Sequence, residues 1–144
     1  LEAEGIGNDA SFLVGGAIGS GRRRLFLVYA QGNFIECAAD QPYLQIGERK
    51  YGKPILDRAL THQTPLDEAL KLGLISFDST MKSNLAVGLP LDIAVLRKGE
   101  RALALRYRVG TDDSYFAELG RNWSAGLKAA LAGIKVPPYF DGAR

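Results

Sequence analysis

Residues 76–84 form the densest group of polar side chains in the sequence. The segment reads Ser-Phe-Asp-Ser-Thr-Met-Lys-Ser-Asn and holds four hydroxyls, one carboxylate and one ammonium group. Such a cluster can orient a neighbouring reactive group through hydrogen bonds. The same composition is typical of a helix end followed by a solvated turn. On composition alone we favour that second interpretation.

A second candidate lies at Gly47 and Glu48, where a predicted strand over residues 43–46 runs into a predicted helix. Helix starts present free backbone N–H groups and the positive end of the helix dipole. That geometry can stabilise an oxyanion. Ordinary joints between a strand and a helix have the same pattern, so the local signal is weak.

Cys37 and His62 are the single cysteine and the single histidine of the chain. A thiol nucleophile needs a base beside it. We expect Cys37 to be a buried, inert thiol at the end of an apolar strand and His62 to be exposed between two helices, so we predict no catalytic pair. One cysteine and one histidine also exclude a Cys/His zinc site, and we expect no metal or cofactor.

Arg22, Arg23 and Arg24 end a glycine-rich loop over residues 17–24 that could hold phosphate or another acidic group. Phosphate loops follow a strand and open a helix, whereas this loop precedes a predicted strand. We favour a solvated hairpin loop with a charged edge.

Hydrophobic patterning predicts the elements that must position these side chains. Strands are predicted over residues 11–16, 25–29 and 33–37, helices over 47–60 and from a Thr64 cap onward, strands over 85–87, 91–97 and 101–109, and a last helix capped within 111–113 and stopped at Gly133. Pro54 requires the first helix to begin or bend there. Runs of strands and runs of helices predict an α+β fold with antiparallel sheets rather than a βαβ fold.

Apolar spacing predicts which helix faces are buried. The second helix has one stripe, at Leu66, Ala69, Leu70, Gly73, Leu74 and Phe77, and the last helix another, at Phe116, Leu119, Trp123, Leu127, Ala130 and Ile134. We expect Gly73 to allow close approach of a neighbour and residues 78–84 to form a polar loop. Both groups of strands contain residues that look buried on two faces.

Composition restricts the class of protein. The chain has 144 residues, of which 47% are hydrophobic and 24% charged, which excludes a disordered chain and indicates a single domain. No apolar run approaches the roughly 20 residues that span a bilayer. A net charge of +2 gives no argument for nucleic acid as a partner. We find no secretory segment and expect a cytoplasmic location.

Three long blocks of the sequence resemble a known family. They are Tyr-Ala-Gln-Gly-Asn-Phe-Ile-Glu (29–36), Pro-Tyr-Leu-Gln-Ile-Gly-Glu-Arg-Lys-Tyr-Gly-Lys-Pro-Ile-Leu-Asp-Arg (42–58) and Ser-Phe-Asp-Ser-Thr-Met-Lys-Ser-Asn-Leu-Ala-Val-Gly-Leu-Pro (76–90). Together they resemble Anbu, the bacterial proteasome-related peptidase family, and the resemblance extends from about residue 11 to about residue 109.

The resemblance implies the αββα sandwich of the N-terminal-nucleophile hydrolases, of which this sequence matches the second half. The family's opening strands and first helix pair have no counterpart here, and the chain begins at Leu1, which has no hydroxyl. We therefore expect residues 1–144 to be one incomplete, C-terminal portion of a subunit. Its implied partners are the missing N-terminal segment, further copies in a ring or lock-washer, and a peptide or unfolded protein substrate.

The resemblance also implies supporting roles for certain residues. Glu48, after Gly47, stands where proteasome-like proteins carry a serine beside the catalytic threonine. Ser83 matches a serine that supports the nucleophile together with an aspartate three positions earlier. Thr80 occupies that earlier position and Asp78 is the nearest carboxylate, so either could take the role.

The implied activity is peptide hydrolysis by a threonine peptidase through an acyl-enzyme, with the nucleophile supplied by the missing segment. The alternative is a scaffold or interaction domain without chemistry, because these residues contain no recognisable nucleophile with a base. Anion binding by Arg22–Arg24 is a third and weaker hypothesis.

Overall fold

The computed structural model describes residues 10–140, and within them the chain forms five strands, three α-helices and one short 3-10 turn. The strands are β1 (Phe12–Gly16), β2 (Arg24–Val28), β3 (Phe34–Glu36), β4 (Leu91–Val95) and β5 (Leu105–Val109). The helices are α1 (Lys53–Ala59), α2 (Leu66–Met81) and α3 (Ser114–Gly133), and the 3-10 turn covers Pro138–Phe140. The predicted order of strands and helices is confirmed, except for the segments described below.

The first sheet is an antiparallel meander in the order β1-β2-β3. Val14 pairs with Phe26 in the register of β1 and β2, and Leu27 pairs with Ile35 in that of β2 and β3. Because cross-strand partners lie on the same face, Leu27 and Ile35 share one face and Val14 and Phe26 the other.

The second sheet is the antiparallel pair β4–β5, with Leu91 opposite Val109. Both strands are shorter than predicted, so residues 96–104 form a longer connection instead of a tight turn at 98–100. Gly99 lies within it at a φ of +88°, a backbone conformation that disfavours other residues.

The starts of α1 and α2 differ from the predictions. Helix α1 begins only at Lys53, and Pro54 lies in its first turn, where a missing N–H leaves no helical bond unmade. Helix α2 begins at Leu66, one residue later than predicted, and Pro65 occupies the cap position. The Thr64 hydroxyl instead accepts a hydrogen bond from the N–H of Thr61 at 2.9 Å.

Two predictions around the end of α2 are wrong. The helix continues through Met81, so Asp78 and Thr80 lie in its last turn and not in a loop. Met81 packs against the core, whereas Leu66 and Phe77 of the predicted stripe are 50% and 45% exposed. Residues 85–87 form a turn instead of a strand, because the N–H of Ala86 donates to the Asn84 side chain at 2.9 Å.

The main core lies between α2, α3 and the second sheet. Its buried members are Leu74, Ile75, Val109, Phe116 and Leu119. The predicted stripe of α3 is therefore confirmed in its first half, while Leu127 and Ile134 in its second half are 51% and 70% exposed. The close approach predicted at Gly73 is wrong, because a Cβ there would meet no atom within 4 Å.

Large apolar side chains remain exposed on the first sheet. Phe12, Val14 and Phe34 are 58%, 52% and 62% exposed. Within the strands of residues 10–140 only Leu27 and Val109 are buried, so the predicted burial on two faces is wrong. The physical reason is that no element of the described part of the chain covers the second face of either sheet.

Candidate functional site

Gly47 and Glu48 form a turn that is closed by its own polar groups. Gly47 has a φ of +80°, which explains why glycine stands there. The Gln45 amide donates to the carbonyl oxygen of Glu48 at 2.7 Å, and the N–H of Lys50 donates to Glu48 Oε1 at 2.8 Å. The predicted strand over residues 43–46 is wrong, because this segment is irregular and pairs with no strand in the described part of the chain.

Asp78 and Thr80 face different neighbours, because residues two apart on a helix point to different sides. The Thr80 side chain is buried and its hydroxyl donates to the carbonyl oxygen of Ser76 at 2.8 Å. The Asp78 side chain is 13% exposed and lies toward α3, with its Oδ2 atom 3.2 Å from Lys82 Nζ. Lys82 also donates to the Ser124 hydroxyl at 2.9 Å, which ties the end of α2 to α3.

Ser83 lies two residues past the end of α2 and is exposed. Its backbone N–H donates to the carbonyl oxygen of Thr80 at 3.0 Å. Its hydroxyl makes no hydrogen bond to Asp78, Thr80 or Glu48 in the structure over residues 10–140, so it is available to another group.

Asn84 joins the two parts of the site. Its Nδ2 atom donates to Glu48 Oε2 at 2.9 Å, across 36 positions of sequence. The structure thus brings the Gly47–Glu48 turn to the end of α2, where Thr80, Asp78 and Ser83 lie. The N–H donors of Lys50 and Asn84 hold the pKa of Glu48 below its ordinary value.

Gly52 fixes the start of α1 against α2. It is buried, and a Cβ there would lie 2.8 Å from the carbonyl oxygen of Ser76 and 2.9 Å from Thr80 Oγ1. Sequence reasoning missed both Gly52 and Asn84. The glycine directly before a proline-started helix was a usable signal for Gly52, whereas nothing local indicated a contact from Asn84 to Glu48.

The remaining candidates have ordinary surroundings. Burial raises the pKa of the Cys37 thiol, which donates to the carbonyl oxygen of Gln41 at 2.9 Å. His62 is exposed. Arg24 forms a two-pronged hydrogen bond with Glu36, at 2.8 and 2.6 Å, and holds the pKa of that carboxyl low. Such an ion pair is typical of a charged hairpin edge.

Residues 10–140 contain no group of three or more His, Cys, Asp or Glu side chains that could hold a metal ion. In the same range, no helix has the length and hydropathy needed to cross a membrane.

Taken together, two small antiparallel sheets and three helices make an α+β protein that is consistent with the N-terminal-nucleophile hydrolase type. Among solved structures, Anbu from Hyphomicrobium sp. strain MC1 superimposes with a TM-score of 0.86 and 45% identity, over 90% of this chain and 55% of that one. Anbu from Yersinia bercovieri, described as an ancestral beta-subunit, gives 0.86 and 46% over 90% and 55%. The helical assembly of the Anbu complex from Pseudomonas aeruginosa gives 0.85 and 52% over 92% and 56%.

These similarities confirm the sequence resemblance, and the chain matches part of an Anbu protein. It spans little more than half the length of these neighbours. No protein-family model matches the chain, and no curated protein sequence does.

Proposed function

We propose that residues 1–144 are the C-terminal part of a proteasome-like threonine peptidase subunit, whose nucleophile is an N-terminal threonine outside this sequence. The observation that carries the proposal is the hydrogen bond from Asn84 to Glu48. It joins the Gly47–Glu48 turn, whose N–H groups have no acceptor within residues 10–140, to Asn84, the neighbour of the exposed Ser83. The match to about half of an Anbu chain supports the same proposal.

The proposed reaction is hydrolysis of a peptide bond through an acyl-enzyme. The threonine hydroxyl attacks the peptide carbonyl, and its own α-amino group takes the proton and passes it to the leaving amine. An α-amino group titrates near pH 7.7–8.0 in model peptides, so it can act as a base near neutrality. Water then hydrolyses the threonine ester and restores the free hydroxyl.

The residues of this chain have supporting roles in that scheme. Ser83 orients the α-amino group, aided by Thr80 or Asp78. The N–H groups of Gly47 and Glu48 have no acceptor within residues 10–140, and in the proposed subunit they lie near the developing oxyanion. No metal or cofactor enters the scheme.

The exposed apolar surface supports the proposed partners. Phe12, Val14 and Phe34 are more than half exposed, and an uncovered apolar sheet face tends to bury itself against another surface. The missing N-terminal segment is the proposed occupant, with assembly of further copies in a ring or lock-washer. One similar protein, from Pseudomonas aeruginosa, is known in a helical assembly. A cytoplasmic location stays a prediction.

The test uses the full-length protein and a set of fluorogenic peptides. Ser83→Ala should lower kcat by about ten- to a hundredfold without lowering the melting temperature. Ser79→Ala is the matched control, since it removes a hydroxyl from the same segment. N-terminal sequencing should find a threonine at the mature end. Absence of that threonine, together with no hydrolysis of any peptide, would instead favour the scaffold.

A further inference from the structure

Asn84 uses three of its four polar groups to fix the turn after α2. Its backbone N–H donates to the carbonyl oxygen of Thr80 at 2.8 Å, and its own carbonyl oxygen accepts from Val87 at 3.2 Å. Its side-chain oxygen accepts from the N–H of Ala86 at 2.9 Å. Only the amide nitrogen is left, and it donates to Glu48. The backbone and the side-chain oxygen of Asn84 are therefore fixed within the turn after α2, and its amide nitrogen bonds to the Gly47–Glu48 turn.

We propose that Asn84 is a positioning residue that holds the Gly47–Glu48 turn at a fixed place beside Ser83. This inference rests on the proposed function, because it assigns the placing of the proposed oxyanion donors to the side chain of Asn84, for which the resemblance implies no role. A hydrogen bond of 2.9 Å between the side chains of Asn84 and Glu48 joins the end of α2 to the Gly47–Glu48 turn. The two residues are 36 positions apart in the sequence.

The charge of Glu48 has a structural use in this arrangement. Oε1 accepts from Lys50 and Oε2 accepts from Asn84, so both oxygens are engaged by N–H donors. When both oxygens of a carboxylate accept hydrogen bonds, the ionised form is stabilised, and the group is poorly placed to take a proton from a substrate. Glu48 therefore acts by keeping the turn in place and does not act as a general base.

Asparagine is the residue that this position requires. An aspartate would place a second carboxylate against Glu48, and like charges repel. An alanine would remove the donor to Glu48 and the acceptor for Ala86. Small displacements of oriented groups in an active site are costly, about a hundredfold in rate for roughly 1 Å.

The experiment compares Asn84→Ala and Asn84→Asp with wild type in the full-length protein. Asn122→Ala on the exposed side of α3 is the control. Hydrolysis of a fluorogenic peptide gives kcat and KM, and hydrogen exchange reports on the Lys50 amide, which donates to Glu48. We expect kcat to fall about tenfold or more with KM within about twofold, and the Lys50 amide to exchange faster.

A merely structural role predicts a lower melting temperature with an unchanged kcat below it, and that result would overturn the inference. If wild type hydrolyses no peptide, the proposed function fails, and the hydrogen-exchange measurement alone decides the inference. In that case, an exchange rate of the Lys50 amide that is the same in Asn84→Ala as in wild type contradicts it. If Asn84→Ala does not fold, Glu48→Gln replaces it, since it weakens the same hydrogen bond and leaves the other contacts of Asn84 intact.

Discussion

A Cβ atom on Gly120 would lie 2.5 Å from Oδ1 of Asp78, so α3 approaches α2 at a position where only glycine fits without movement. The same carboxylate lies 3.2 Å from Lys82 Nζ, and Lys82 reaches Ser124 on α3. The absence of a side chain at position 120 and the polar contacts of the Asp78 carboxylate therefore depend on one another.

Replacing Gly120 by alanine should destabilise the protein. The added methyl group forces Asp78 away from Lys82, and overpacking of this kind costs about 1–3 kcal/mol. Chemical denaturation of the full-length protein measures the change in the free energy of unfolding. Gly126→Ala in the same helix is the control: its Cβ would meet nothing within 4 Å, so it should be neutral or stabilising by up to about 1 kcal/mol. Equal effects of the two substitutions would contradict the packing argument.

Gly52→Ala should also destabilise the protein, by about 1–3 kcal/mol, because the new Cβ atom would overlap a backbone atom. The new Cβ would lie 2.8 Å from the carbonyl oxygen of Ser76, which belongs to α2 and cannot move independently of the helix. Thermal unfolding compared with Gly73→Ala, whose Cβ meets nothing within 4 Å, isolates this contact. A melting temperature equal to that of Gly73→Ala would show that α1 shifts freely.

The sequence predicted the local elements because they depend on local patterns. The first half of the apolar stripe of α3, a cap within residues 111–113 and the end at Gly133 all follow from local sequence patterns. The errors fall where packing on the core or a single side-chain hydrogen bond decides, and not an apolar pattern. Helix α2 extends past Asp78 because Met81 packs on the core, and the strand predicted at 85–87 becomes a turn because Asn84 accepts from Ala86.

The candidate site likewise combines residues that the sequence indicates with contacts that it does not. Gly47 and Ser83 could be selected from the three sequence blocks that resemble the family. The contacts that bring them together, from Asn84 to Glu48 and from Gly52 to Thr80, join residues 36 and 28 positions apart. No periodicity of a helix or strand reports on such pairs, so the structure was needed to find them.

The Cys37 thiol should react slowly in the folded protein. Burial is the main cause that raises its pKa, and Glu36 adds to it, so less thiolate is present near neutral pH than in an exposed cysteine. Alkylation by iodoacetamide at pH 7.5 should therefore be slower in the native protein than in denaturant, as followed by intact mass. A faster reaction in the native state would revive the hypothesis of an activated thiol.

The last prediction concerns the start of α3 and its dependence on pH. The Asp113 carboxylate accepts from the N–H of Phe116 at 2.8 Å and from the Tyr107 hydroxyl at 2.7 Å, which hold its pKa below the ordinary value. A carboxyl with a lowered pKa in the folded state contributes stability above its unfolded pKa of about 3.9 and loses it as the pH falls through the folded value. Asp113→Ala should lower the melting temperature at pH 7 by roughly a few degrees, and the difference from wild type should shrink below about pH 4. Asp112→Ala is the control, because that side chain makes no hydrogen bond within residues 10–140. If the difference in melting temperature between wild type and Asp113→Ala stays constant down to about pH 2, the loss of stability does not come from the ionised Asp113 cap.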